Sequence, residues 1–251
     1  MRDILLKNDR GAGMRIREKI SIDRKGLIEN GAINIVAFGD SVTHGFDLDC
    51  GEVYHERLRK KIVSLGSYAP INVINAGISG TCAKDSVDRM QSQVFSHNPD
   101  LVIVAFGLND VNCELDVYLN ALRDIFSECQ KRDVEAVFLT PNMTCTYLSD
   151  EAPKEYTETA KRLARYQTEG RMDLYIYSAK DLALSMGIKV ADCYSEWKEL
   201  SKTQDVTLLL SNRINHPIPE MHELFAEKIF EQIFDTEIEV KNKNESTMYE
   251  K

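Results

Sequence analysis

The sequence predicts a doubly wound α/β fold with about five parallel strands flanked by helices. Short and nearly continuous apolar runs alternate with segments of helical period, and most of the runs end at or just before a glycine, proline or aspartate. Continuous apolar runs are typical of strands that are covered on both faces, as in parallel sheets. The 251 residues, 43% of them hydrophobic, suffice for one large core, and we expect a single domain.

Five apolar runs are predicted to form the strands, at residues 33–38, 71–75, 101–106, 136–140 and 188–191. Between and after them, apolar residues recur with helical spacing at 118–129 and 221–234, and we interpret both stripes as faces that pack on the sheet. The stretch 154–186 predicts two helices that are broken near Gly170. Strands that alternate with helices in this way indicate parallel pairing.

The two ends of the chain fit this pattern less well. Residues 1–32 carry mixed charge and precede the first strand, and a strand, a short helix or an ordered arm are all compatible with them. We therefore divide the chain into an N-terminal extension (1–32), a domain (33–238) and a polar C-terminal tail (239–251).

Charge and hydropathy exclude several classes of partner. With 31 Lys and Arg against 40 Asp and Glu, the net charge of −9 argues against nucleic acid, whose binding relies on clustered positive charge. No run approaches the roughly 18 apolar residues of a membrane span. The first residues lack the apolar core of a signal peptide, so we expect a cytoplasmic protein.

The cysteines suggest neither metal binding nor a disulfide framework. The six cysteines, at positions 50, 82, 113, 129, 145 and 193, form no Cys-x-x-Cys pair and none has a histidine at metal-ligand spacing. We therefore expect reduced thiols, no metal and no cofactor.

Polar and small residues follow four of the predicted strands. Gly-Asp-Ser41 follows the first strand, Gly77 the second and Asn109 the third, and His216 lies in a loop after the fifth. Taken singly, each has an ordinary explanation as a turn or a helix cap. Because ligands bind at the carboxyl ends of parallel strands, together they suggest an acyl-transfer site.

Each of these residues suits one step of that chemistry. Ser41 would be the nucleophile and His216 the base that takes its proton. The backbone N–H groups of Ser41 and Gly77, with the Asn109 amide, would form the oxyanion hole. Gly77 suits this task because the missing Cβ would let the substrate approach the backbone.

In the segments around these four residues, the sequence resembles the SGNH (GDSL-type) hydrolases. The matching blocks are Gly-Asp-Ser41, Gly77, Gly-Leu-Asn109-Asp and Asn-His216-Pro, within a resemblance that covers roughly residues 33–235. The resemblance implies a three-layer, flavodoxin-like fold, a metal-free serine esterase mechanism and acyl-ester substrates, often acetylated sugars or lipids. It is closest to carbohydrate acetylesterases.

One position departs from that family, which usually has an aspartate three residues before the histidine. Here that position is Arg213. Three explanations stay open: a Ser–His dyad with a backbone carbonyl orienting the ring, another acid such as Asp192 or Glu196, or lost activity. Asp192 lies at the correct sheet edge, although its position is also typical of a helix cap.

Three further residues are candidates for the pocket, namely Asp40, His44 and Arg213, of which Asp40 is better explained as bracing the nucleophile turn. The functional expectation is a serine esterase that hydrolyses short acyl groups, acetyl in preference to longer chains, on a small-molecule or carbohydrate ester. A lysophospholipase or thioesterase is the alternative enzyme. A non-catalytic glycan-binding or interaction protein on the same scaffold is the alternative from another class. The sequence leaves the oligomeric state open.

Overall fold

The computed structural model describes residues 16–65 and 70–234. Its centre is a five-stranded, fully parallel sheet with the strand order β2-β1-β3-β4-β5, which is the flavodoxin-like order. The strands are β1 (Ile33–Gly39), β2 (Ile71–Gly77), β3 (Leu101–Ala105), β4 (Glu135–Leu139) and β5 (Lys189–Ala191). All five predicted strands and the predicted fold class are confirmed.

Helices cover both faces of this sheet. They are α1 (Ile16–Ile20), α2 (Arg24–Asn30), α3 (Ser41–His44), α4 (Tyr54–Ser64), α5 (Ala83–Ser86), α6 (Met90–Gln93), α7 (Leu115–Lys131), α8 (Thr157–Thr168), α9 (Arg171–Ser185), α10 (Cys193–Leu200) and α11 (Met221–Ile233). The predicted stripes at 118–129 and 221–234 are α7 and α11. The predicted break near Gly170 separates α8 from α9, and Gly170 has a φ of 82°.

Strand β1 shows why the apolar runs are continuous. Its residues Val36 and Phe38 belong to the core layer beneath α5 to α10, whereas Ile33, Ile35 and Ala37 belong to the layer beneath α1, α2, α4 and α11. All five are fully buried. A central strand of a three-layer fold therefore has no polar face, as a parallel sheet requires.

The register brings three strand ends together. Gly39 at the end of β1 pairs with Gly77 at the end of β2 on one side and with Ala105 at the end of β3 on the other. The segments after β1, β2 and β3 therefore begin at the same level of the same edge. This edge carries the candidate site.

The segment before β1 packs on the sheet. Ile16, Ile20 and Leu27 of α1 and α2 are buried in the core layer that also contains α4 and α11. The Lys19 ammonium lies 2.9 Å from the Asp100 carboxylate. Of the three alternatives for residues 1–32, the described part is helical and packs in this core layer. The predicted C-terminal tail lies outside the described residues.

In residues 16–65 and 70–234, none of the helices has the length and apolar character that crossing a membrane requires.

Candidate active site

Ser41 begins α3 directly after β1, in a turn that tolerates little change. The Asp40 carboxylate caps α3 by accepting the Val42 N–H at 3.0 Å. A Cβ on Gly39 would lie 2.2 Å from the Thr43 Oγ1 and 2.5 Å from the Ala105 carbonyl oxygen. Only glycine fits between α3 and β3, which explains the residue types of the Gly-Asp-Ser block. Asp40 thus has the bracing position that the sequence predicts.

The hydroxyl of Ser41 contacts the imidazole of His216. The Ser41 Oγ and the His216 Nε2 are 2.9 Å apart, although 175 residues separate them in the chain. The ring also packs against Phe46 with 5.0 Å between the ring centroids. Burial lowers the pKa of His216, and the nearby charge of Asp47 opposes this shift. A neutral imidazole, the form that accepts a proton, is therefore favoured near neutral pH.

An asparagine, not a carboxylate, contacts the other ring nitrogen of His216. The Asn212 Oδ1 accepts the backbone N–H groups of Ile214, Asn215 and His216 at 3.0, 3.0 and 3.1 Å. These three donors fix the orientation of the amide, so its Nδ2 faces the Asn215 Oδ1 at 3.0 Å and the His216 Nδ1 at 3.2 Å. Asn212 is not among the predicted site residues, and its place four residues before the histidine gives no signal by itself.

This contact decides the tautomer of the imidazole. The Asn212 Nδ2 is a donor only, so the His216 Nδ1 must accept, and a neutral ring then carries its proton on Nε2. In this resting arrangement the Nε2–H donates to the Ser41 Oγ. Removal of the Ser41 proton requires the opposite tautomer, with the proton on Nδ1.

Arg213, a predicted pocket residue, contacts Glu151 and two backbone carbonyls. Its Nε lies 2.8 Å from the Glu151 Oε2, and its Nη1 donates to the carbonyl oxygens of Leu208 and Leu210, both at 2.9 Å. Its backbone is left-handed, with a φ of 59°. The side chain therefore braces the histidine loop, and these contacts do not match the prediction that it lines the pocket.

The two alternative acids also have other partners. The Asp192 carboxylate caps α10 by accepting the Ser195 N–H at 3.2 Å, and it forms an ion pair with Lys180. Glu196 forms an ion pair with Lys228 at 2.8 Å. The hypothesis that Asp192 orients the histidine does not match these contacts, and its interpretation as a helix cap does.

Gly77 has a different reason to be glycine than the one predicted. A Cβ there would lie 2.3 Å from the His44 backbone nitrogen and 2.9 Å from the Asp40 carbonyl oxygen, so α3 rests directly on it. Its N–H donates to the Asn75 Oδ1 at 2.9 Å. Contrary to the prediction, the space left by the missing Cβ is filled by the nucleophile turn, not by substrate.

Gly80, three residues further on, lies in an open turn beside Asn109. The turn closes with the Thr81 N–H on the Ile78 carbonyl at 3.3 Å, and Gly80 has a φ of 81° with no atom within 4 Å of an added Cβ. The Asn109 Nδ2 donates to the Thr81 carbonyl at 3.1 Å. One amide hydrogen of Asn109 is thereby used to hold its side chain against this turn, and the second remains for another acceptor.

His44, the remaining pocket candidate, lies at the rim of the same turn. Its side chain is exposed, and its Nδ1 is 2.8 Å from the Ser79 Oγ. Its carbonyl accepts the Asn75 Nδ2 at 3.1 Å.

Arg89 braces the strand ends beneath the site. Its guanidinium donates to the carbonyls of Ala76 at 2.6 Å and Gly39 at 3.1 Å, and it lies 4.3 Å from the centroid of the Phe38 ring. The partners of Arg89 lie at the ends of β1 and β2, so it fixes the relative position of the turns that carry Ser41 and Gly80. Its sequence position within short helical segments gives no hint of this contact.

Two buried carboxylates lie close behind the serine. Burial raises the pKa of Asp40 and of Asp110 to about 7 each, and the charge of Asp110 adds to the shift of Asp40. The Asp110 Oδ1 accepts the Ala83 N–H at 2.8 Å, whereas the Oδ2 has no hydrogen-bond partner among the described residues. Within the same ranges, no group of three or more His, Cys, Asp and Glu is arranged to hold a metal ion.

Comparison with known proteins supports the same fold and chemistry. Residues 37–224 match the GDSL-like Lipase/Acylhydrolase family. A segment of 85 residues is 31% identical to an uncharacterized lipoprotein of Bacillus subtilis and spans only 35% of that protein's length.

Solved structures share the architecture at low sequence identity. An acetyl-xylooligosaccharide esterase from Geobacillus stearothermophilus, solved as a mutant, is 23% identical with a TM-score of 0.63, over 80% of this chain and 94% of that one. A lipase/acylhydrolase from Enterococcus faecalis is 24% identical with a TM-score of 0.62, over 80% and 95% of the two chains. At these identities the likeness concerns the fold.

Proposed function

Because the chain belongs to the GDSL-like lipase/acylhydrolase family, a group of carboxylic-ester hydrolases, we propose that it hydrolyses short acyl esters with Ser41 as nucleophile and His216 as base. The observation that carries this proposal is the 2.9 Å contact between the Ser41 Oγ and the His216 Nε2. A nucleophile and a base within hydrogen-bond distance are the minimum that acyl transfer needs.

The reaction begins when the Ser41 Oγ attacks the ester carbonyl carbon and the His216 Nε2 takes the hydroxyl proton. The same nitrogen then returns the proton to the leaving alcohol, which yields an acyl-serine. Water, activated by His216, attacks this acyl group and frees the acid and Ser41. His216 must carry its resting proton on Nδ1 for the first step, so the Asn212 contact is the part of the site that this mechanism has to rearrange.

Negative charge on the carbonyl oxygen needs donors at the sheet edge. We assign this role to the N–H groups of Ser41 and Gly80 and to the free amide hydrogen of Asn109. Gly80 replaces Gly77 in this assignment because the Gly77 N–H already donates to Asn75, whereas Gly80 lies in the open turn that contacts Asn109. Loss of one such donor typically lowers kcat about 10²- to 10³-fold.

Acetylated carbohydrate is the substrate class that we favour. The esterase from Geobacillus stearothermophilus is described as acting on acetyl-xylooligosaccharides, and it has the same fold. Phe46 is 45% exposed beside the His216 ring, and Ile78 is 41% exposed beside the Gly80 turn. Two exposed apolar side chains at the rim suit the face of a sugar ring or a short acyl group.

A chromogenic ester assay tests the chemistry and the chain length. We expect acetate release from p-nitrophenyl acetate and from acetylated xylo-oligosaccharides, and loss of both activities in Ser41→Ala. Wild-type turnover by Ser41→Ala would refute the assignment of the nucleophile. Faster hydrolysis of the octanoyl and palmitoyl esters than of the acetyl ester would instead favour a lysophospholipase or thioesterase.

A second candidate function is a glycan-binding protein without catalysis, which the amide of Asn212 in place of an acid favours. Labelling with a fluorophosphonate probe separates the two. An adduct at Ser41 in the folded wild-type chain supports the hydrolase, and absence of the adduct together with binding of xylo-oligosaccharides supports the second candidate. The cytoplasmic location expected from the sequence stays a prediction, and one relative is described as a lipoprotein.

A further inference from the structure

Two thiols that are distant in the sequence meet beside the candidate oxyanion hole. The Sγ atoms of Cys82 and Cys113 are 3.9 Å apart, and both side chains are partly accessible. In contrast, Cys129, Cys145 and Cys193 are buried. The spacing of the cysteines does not indicate this contact, because it depends on how the segments after β2 and β3 meet.

The thiol pair connects the same two segments that carry the proposed oxyanion donors. On one side of Cys82, the Thr81 carbonyl accepts the Asn109 Nδ2 at 3.1 Å. On its other side, the Ala83 N–H donates to the Asp110 Oδ1 at 2.8 Å. The sulfur contact therefore belongs to a row of contacts that sets the position of the Gly80 turn relative to Asn109.

We propose that Cys82 and Cys113 are a dithiol site that low-molecular-weight disulfides, such as oxidised glutathione, convert reversibly into a disulfide, and that this bond lowers the acyl-transfer activity. The thiol chemistry is independent of the proposed function, whereas the effect on activity rests on it.

The exchange consumes one small disulfide. The Cys113 thiolate attacks one sulfur of the oxidant, and the first small thiolate leaves. The Cys82 thiolate then attacks the Cys113 sulfur of this mixed disulfide and expels the second small thiolate. The two protein protons end on the two released thiols, so the protein is oxidised by two electrons and the oxidant is reduced by two.

The local environment assigns the order of the two attacks. Burial raises the pKa of the Cys82 thiol well above its ordinary value, and the charge of Asp110 adds to this shift. Cys82 is therefore the poorer first nucleophile, because the thiolate is the attacking form. Its attack in the second, intramolecular step is favoured by the proximity of the two sulfurs.

Formation of the bond ties together the two segments that carry the oxyanion donors. A disulfide is about 2.05 Å long, so the sulfurs have to approach each other from 3.9 Å. The Cys113 carbonyl is held by Arg171 at 3.0 Å and also accepts the Tyr175 hydroxyl, which leaves the Cys82 side to shift. A misplacement of about 1 Å in such a site can lower the rate about 10²-fold.

The test uses the full chain in mixtures of reduced and oxidised glutathione. We expect a product that has lost two hydrogens in mass, a non-reducing peptide map in which the Cys82 and Cys113 peptides are linked, and at least about a tenfold fall in p-nitrophenyl acetate turnover. Dithiothreitol should restore the original mass and the original turnover. Cys113→Ser should form no link and keep its activity in the oxidised mixture, because it lacks the thiol that attacks the oxidant first. Cys82→Ser should form no link either, and it should stop at a mixed disulfide of Cys113 with glutathione, which the intact mass detects. Cys50→Ser, which removes an exposed thiol, should respond like the wild type.

The outcomes separate the parts of the proposal. If Cys50 becomes glutathionylated while no Cys82–Cys113 link forms, the dithiol site is refuted. If the link forms and turnover stays unchanged, the control of activity is refuted. The link should also form in Ser41→Ala, so a failure of the proposed esterase function would leave the mass measurement to decide the thiol chemistry.

Discussion

Replacement of Asn212 by aspartate should make the enzyme faster. The Asn212 Oδ1 accepts three backbone N–H groups, and a carboxylate oxygen can accept the same three. The Asn215 Oδ1, which accepts the Asn212 Nδ2 at 3.0 Å, would exchange places with its own Nδ2 by a turn of the Asn215 amide, so Asn212→Asp should preserve the loop. Its second oxygen would then face the His216 Nδ1, which now lies 3.2 Å from the Asn212 Nδ2. An acceptor at this place selects the tautomer with the proton on Nδ1, the one that removes the Ser41 proton.

The expected rise in kcat/KM follows from the free energy that the Asn212 amide adds to the proton transfer. In the wild type, moving the ring proton to Nδ1 breaks a hydrogen bond worth about 1 kcal/mol and leaves two donors facing each other, which costs a further 1–3 kcal/mol or so. A carboxylate removes this cost and stabilises the imidazolium. Because His216 is only partly buried, water weakens the effect, and we expect a rise in kcat/KM of about 10- to 100-fold, at about 1.4 kcal/mol per factor of ten.

The assay is the pH dependence of kcat/KM on p-nitrophenyl acetate. A neighbouring negative charge raises the pKa of the imidazole, so the acid limb of the profile should move to higher pH in Asn212→Asp. Asn120→Asp, the same chemical change at an exposed position of α7, is the matched control and should show neither effect. A folded Asn212→Asp variant with the wild-type rate and the wild-type profile would refute the tautomer argument.

Three further predictions concern the same edge of the sheet. Asn109→Ala should lower kcat about 10²- to 10³-fold with little change in KM, because an oxyanion donor is lost, whereas Asn120→Ala should have the wild-type kcat. Gly77→Ala should lower the unfolding free energy by about 1–3 kcal/mol in a denaturant titration, because the added Cβ would lie 2.3 Å from the His44 backbone nitrogen. A variant as stable as the wild type would contradict the packing described for α3. Asp110→Asn should gain stability relative to the wild type as the pH rises from 5 to 8. Burial raises the pKa of Asp110 from 3.8 to about 7, so the folded state holds the proton more tightly than the unfolded state. Protonation of Asp110 therefore stabilises the wild-type folded state at low pH, and this stabilisation is lost as the pH rises towards 7. The carboxylates of Asp40 and Asp85 face the Asp110 carboxylate. Equilibrium unfolding at pH 5 and pH 8 should show the unfolding free energy of Asp110→Asn rising by about 2 kcal/mol relative to that of the wild type. If the difference between the two proteins were the same at both pH values, Asp110 would be ionised throughout this range.

Local patterns made most of the fold predictable. The strands are predictable because both faces of each central strand are buried, so that apolar runs mark them directly. The helices α7, α8, α9 and α11 follow from their apolar stripes and from the break at Gly170. The helices before β1 are short, and the mixed charge of this segment hides the few buried residues, such as Ile16 and Leu27, that attach it to the sheet.

Ser41, Asn109 and His216 were predictable at the site because each is a distinctive residue at the end of a strand or near the last helix. The surroundings of Gly77 and Gly80 were not, since both glycines follow β2 and only the structure shows that α3 packs on Gly77 while Gly80 lies in an open turn. The Gly77 N–H donates to Asn75, a contact that depends on the rotamer of that side chain. The contact between Cys82 and Cys113 depends in the same way on tertiary structure.

The backbone at Arg213 explains why counting back from the histidine identifies the wrong residue. With a φ of 59° at Arg213, the loop turns so that Asn212 reaches the imidazole and Arg213 reaches Glu151. Arg213→Asp should therefore place its carboxylate beside the carbonyls of Leu208 and Leu210, not beside the ring.

We expect Arg213→Asp to lower the unfolding free energy, because hydrogen bonds to those carbonyls are lost and a second negative charge is set near Glu151. We expect no gain in kcat/KM from this variant. Its comparison with Asn212→Asp in the same ester assay is decisive, since the two place one carboxylate at neighbouring positions of the loop. If Arg213→Asp were the faster enzyme, the loop would present residue 213 to the histidine, and the role given to Asn212 would be wrong.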